Sequence, residues 1–120
     1  MHSHPIAALL AIPTLLLASA ANAAPPVING VTVGTKTIKV VTYCTVPISP
    51  STVVSVTFTD TSNVIHQVAR VRCPHGTPWS FKLYKPYKDQ ATGVVLPPGS
   101  YQICLRQLGT TGCWGPWITI

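Results

Sequence analysis

The chain has two acidic residues in 120, Asp60 and Asp89. That shortage excludes a good deal. Glycoside hydrolysis needs two carboxyl groups flanking the scissile bond, and both acids here fall in turn-like segments. Nucleophilic catalysis needs a Ser, Thr or Cys beside a His and an orienting acid, and no such signature surrounds His66 or His75. No glycine-rich phosphate loop and no Asn-x-Ser/Thr glycosylation site occurs. Only one apolar run approaches spanning length, so a transmembrane anchor is not expected. The inventory predicts neither an enzyme nor a bound cofactor.

Eight Lys and Arg stand against the two acids, for a net charge of +6. The positive field is largely uncompensated within the chain. Such a surface attracts anionic partners such as phospholipid head groups or acidic polysaccharide; nucleic acid is the disfavoured member of that group. A solvated face that only keeps an apolar chain in solution is the plainer alternative.

The apolar run is Ile6 to Ala21, followed by Ala21-Asn22-Ala23 as a small-x-small cleavage site. This is the layout of a secretory signal peptide over residues 1–23, although Met1 to Pro5 carries no Lys or Arg. The run is shorter than the ~20 residues a membrane span needs, and Pro13 interrupts it. The expected mature protein is a secreted single domain, residues 24–120. Its four cysteines are Cys44, Cys73, Cys104 and Cys113. An even count in a small exported domain predicts two disulfides, with three pairings possible. Cys73-Pro74-His75 suggests a metal site, but oxidised cysteines cannot supply thiolate ligands, so none is expected.

After the leader no segment has helical periodicity. β-branched residues dominate, and Pro, Gly and Ser interrupt at short intervals. Expected strands are Val27 to Val33, Thr37 to Val46, Thr52 to Thr59, Val64 to Cys73, Trp79 to Tyr84, Val94 to Leu96, Tyr101 to Leu108 and Trp114 to Ile120. Asp60 to Asn63 is an expected turn, and so is Gly109 to Gly112. Seven or eight short strands at this spacing predict an immunoglobulin-like antiparallel β-sandwich.

Alternation along strands sharpens the disulfide expectation. Cys44 shares a face with Ile38 and Val40, and Cys73 shares one with Ala69 and Val71, so both point inward. If Tyr101, Ile103 and Leu105 face the core, Cys104 faces out, where Cys113 on the next strand can reach it. Parity favours Cys44–Cys73 and Cys104–Cys113.

Two family resemblances follow. Leu96-Pro97-Pro98-Gly99-Ser100-Tyr101-Gln102-Ile103 resembles the tyrosine corner of fibronectin type III modules, and Trp114-Gly115-Pro116-Trp117 resembles their last hairpin. That likeness implies an adhesion or protein-recognition module. It covers the last quarter of the chain and lacks the family's early-strand Trp. Val53 to Thr59, Pro98 to Tyr101 and Gly112-Cys113-Trp114 are similar to strands of the ML lipid-recognition family, which binds lipid between its sheets. Here the family's cysteine near the mature N-terminus is missing.

Three features stand out as binding elements. Arg70 and Arg72 form an outward basic pair. Lys82, Lys85 and Lys88 interleave with Tyr84 and Tyr87. The three Trp residues are large for so small a domain, with core packing the expected role for at least two. The expectation is a secreted, non-catalytic binding module. The lipid version places acyl chains between the sheets and the five basic residues at an anionic head group. The alternatives are the fibronectin-like recognition module and a small secreted effector whose target the sequence does not name.

Overall fold

The structure is a computed structural model and describes residues 24–44 and 51–120. The leader expected over residues 1–23 lies outside them, as do Thr45, Val46, Pro47 and Pro50.

Eight strands form: β1 (Val27–Val33), β2 (Thr37–Tyr43), β3 (Ser51–Thr59), β4 (Ile65–Pro74), β5 (Trp79–Tyr84), β6 (Ser100–Gln107), β7 (Thr110–Cys113) and β8 (Ile118–Thr119). They make two antiparallel sheets. One is ordered β1-β2-β5. The other is ordered β4-β3-β6-β7, with β8 also paired to β6. No helix is present among the described residues. This is the expected all-β architecture, a two-sheet sandwich with two disulfides.

Alternation dictates the core. Ile38, Val40 and Thr42 of β2 face Val54, Val56 and Phe58 of β3 and Ile103 and Leu105 of β6, all fully buried. Thr42 is the one polar member, and its Oγ1 donates to the Val27 carbonyl at 2.7 Å. That bond satisfies a hydroxyl that would otherwise be costly to bury. Tyr87 and Tyr101 flank Phe58, with ring centroids 5.7 and 5.9 Å away. Trp79 and Trp114 are half-buried against this cluster, while Trp117 is exposed.

Cys44 joins Cys73, tying the end of β2 to β4 across the two sheets. Cys104 joins Cys113 between paired strands of one sheet. These are the pairings parity favoured.

Three local expectations need correction. The turn before the last strands is not Gly109 to Gly112. It is Leu108-Gly109, both with positive φ (46° and 78°), and Thr110 to Cys113 is strand. Positive φ at both centres is the backbone a tight two-residue hairpin demands. Val94 to Leu96 contributes only an isolated bridge, Lys88 with Val95, because the chain there turns back on Asp89. Of the expected strand from Trp114 to Ile120, only Ile118 and Thr119 pair with β6. Pro116 has no N–H to give a ladder.

Candidate functional site

The two edges of the sandwich differ. On one, β1 packs across β7, and the Gly112 backbone meets the carbonyl of the buried Pro26. On the other, β4 and β5 diverge. A cleft of about 660 Å³ opens there, with Val68 and Ala69 on one wall and Leu83 and Tyr84 on the other. The segment after β5 crosses its mouth, adding Tyr87, Lys88 and Asp89. An adjoining groove of about 430 Å³ runs past Lys85, Tyr87, Val95 and Leu96.

The structure therefore gathers part of the expected site. Lys82, Tyr84, Tyr87 and Lys88 line the cleft, and Lys85 lines the groove beside it. Arg70 and Arg72 do not join them. They stand on the outer face of the five-stranded sheet, where Arg70 and Arg106 flank Ser55. Tyr87 is 5% exposed, and its hydroxyl has no hydrogen-bond partner among the described residues. Burial raises that phenol above its ordinary pKa.

The segment across the mouth is anchored by a cluster that sequence reading missed. His66 on β4 bonds Asp60 through Nε2 at 3.0 Å and Asp89 through Nδ1 at 2.8 Å. Each carboxylate also caps its own turn. Asp60 Oδ1 accepts from the backbone N–H of Ser62 and Val64, and Asp89 Oδ1 from those of Ala91 and Thr92. Gln67 and Gln90 dock side by side through their side chains at 2.9 Å. Both acids of the chain thus act as turn residues that share one histidine. The sequence separations of 6 and 23 residues carry no local signal of it.

The clamp favours the charged form of each member. Hydrogen bonds to Asp60, then Asp89, hold the His66 pKa above its ordinary value against the opposing effect of burial. Hydrogen bonding to His66, helped by backbone N–H groups, holds both carboxyls below the usual range. As an imidazolium, His66 donates both N–H groups, so neither nitrogen is left to act on a nucleophile.

A pH signature follows from these directions. His66 holds its proton more tightly in the folded state. Its contribution is full below the ordinary histidine value of about 6.5 and is lost as pH rises through the raised folded value. The two carboxyls behave oppositely: their contribution is full above about 3.9 and is lost as pH falls through their lowered values. The melting temperature is expected to peak between about pH 4 and 6.5. In His66→Asn the alkaline fall should flatten. If wild type and variant show the same pH profile, the clamp does not carry this linkage.

Among the described residues, no three His, Cys, Asp or Glu side chains converge to hold a metal ion. Among the same residues no helix is long and apolar enough to cross a membrane. The fold and site define a small disulfide-stapled β-sandwich with a closed core, one open edge and strongly basic outer faces. No family model, curated protein or solved structure matches the chain.

Proposed function

We propose that this protein is an exported, non-catalytic recognition module of fibronectin type III type, binding its partner on its outer faces and open edge. The observation that carries this reading is the closed centre of the sandwich. Where acyl chains would lie, Val40, Val54, Val56, Phe58, Ile103 and Leu105 have no exposure. Filled interiors have native packing density and few voids larger than a water molecule. Two further features support it. The antiparallel sheets β1-β2-β5 and β4-β3-β6-β7 fit the two-sheet layout of an immunoglobulin-like sandwich. Tyr101 Oη donates to the Pro97 carbonyl at 2.6 Å, the bond of a tyrosine corner. Both acids have a structural use, bonding His66 and capping their own turns. Two disulfides in a small all-β domain fit an oxidising, extracellular setting.

A second reading has one observation in its favour. The cleft between β4 and β5 pairs apolar walls with Lys82 and Lys88, which suits a small anionic amphiphile at the edge of the sandwich. Incubation with anionic vesicles, followed by native mass spectrometry of the recovered protein, separates the two. The recognition module is expected to return at its polypeptide mass. A stoichiometric lipid adduct would support the second reading and remove the first.

A further inference from the structure

Two of the five lysines stand side by side on the outer face of the three-stranded sheet, and two more lie just beyond the ends of the same strands. Lys39 of β2 and Lys82 of β5 are direct cross-strand partners, and both are exposed. Two residues further along, Thr37 stands opposite Tyr84. Beyond that row, the Lys85 N–H donates to the Lys36 carbonyl at 3.0 Å, holding the turn before β2 beside the residue after β5. Ile38, Val40, Phe81 and Leu83 are buried, so Lys39, Lys82 and Tyr84 all point outward. Tyr84 is 67% exposed and stands two residues from Lys82 on the same face.

Like charges directly opposite one another on a sheet are destabilising. Surface charge that only confers solubility is better dispersed, with both signs interspersed. No acid relieves this face, because both acids of the chain are held on His66. Lysine on an edge strand deters sheet-to-sheet aggregation, which accounts for Lys82 on β5. It does not account for Lys39, since β2 is the central strand. An arrangement that costs the fold stability, with no structural use at Lys39, is relieved when an anion bridges the pair.

The geometry points to a linear acidic polysaccharide as the partner of this face. Lys82 and Tyr84 are two residues apart on this face, roughly 7 Å along the strand. A glycan that carries acidic groups on its sugar rings can place one group across Lys39 and Lys82 and the adjoining ring on Tyr84. The small outward residues Thr32, Thr37 and Ser80 leave that ring approachable. A bilayer would require aliphatic side chains to insert beside the lysines, and the neighbouring outward positions are mostly Thr and Ser. A nucleic acid strand would use several aromatic platforms in series, whereas this face has Tyr84 beside the lysines and Tyr43 four residues from Lys39 at the other end of β2. The inference rests on the recognition-module reading and names its partner class.

The test is calorimetric titration of the disulfide-intact protein with a heparin octasaccharide at low and physiological salt. Binding should weaken with salt. Lys39→Ser/Lys82→Ser should weaken it about tenfold or more, taking roughly one unit of surface attraction per lysine. The same variant should melt no lower than wild type, because it removes a repulsive pair. Tyr84→Ala should weaken binding without changing its salt dependence. Arg70→Ser/Arg106→Ser, on the opposite sheet, should leave it unchanged. Unchanged affinity in the lysine variant overturns the proposal, as does an equal loss in the arginine variant. Tighter binding to anionic vesicles or to single-stranded DNA, with the same dependence on Lys39 and Lys82, also overturns it. None of these results bears on lipid extraction, so this proposal and the module reading fail separately.

Discussion

Replacing Cys44 and Cys73 together by alanine is expected to lower folding stability by about 3.5 kcal/mol, before any loss of packing. The loop this bridge closes spans 29 residues, and chain entropy scales with the logarithm of that length. Both sulfurs are buried, so truncation also removes core contacts. Above all, this bridge ties β2 of one sheet to β4 of the other. The Cys104–Cys113 bridge closes only 9 residues between strands that already share a ladder, and its removal should cost about 2.5 kcal/mol. A domain of this size has about 5–15 kcal/mol in all. Denaturant melts of the two double variants give the order. Equal losses, or a larger loss for Cys104/Cys113, would mean that the inter-sheet bridge is not the main staple.

Gly112→Ala is expected to cost about 3 kcal/mol or more, at the upper end of overpacking effects. A methyl group there would land on the carbonyl of Pro26. Pro26 is fully buried, and just before it the Ala24 carbonyl accepts from Gln107 Nε2 at 3.4 Å. The obstacle is main chain on both sides and cannot swing away as a side chain could. Gly115→Ala is the control, because nothing lies within 4 Å of a Cβ there. Thermal melts of both variants decide it, and a Gly112→Ala protein as stable as Gly115→Ala would show that β1 does not seal that edge.

The sandwich was legible because strands report themselves through period-two burial. Ile38-Val40-Thr42-Cys44 and Tyr101-Ile103-Leu105 alternate as read, and that parity was enough to choose between disulfide pairings. The hairpin at Leu108-Gly109 was misplaced because polarity pointed to Gly109 to Gly112. An apolar leucine with positive φ carries no compositional warning. That error also hid Gly112, whose role depends on being in a strand beside Pro26. The arginine pair was read correctly as outward, but alternation cannot say which sheet a face belongs to. Arg70 and Arg72 lie on the five-stranded sheet, whereas Lys82 belongs to the three-stranded one. The His66 clamp and the Lys39–Lys82 opposition were invisible for a common reason. Each exists only through register and loop docking between segments remote in sequence.

The proposed module keeps a closed interior and confines recognition to its surface. The most direct measurement is methyl spectra of labelled protein during the vesicle incubation. Signals from Val54, Val56, Ile103 and Leu105, which have no exposure, should remain unshifted, and the protein should be recovered free of lipid. Shifts of these core methyl groups together with a bound acyl lipid would show that the sheets part around a ligand, contradicting the account at its centre.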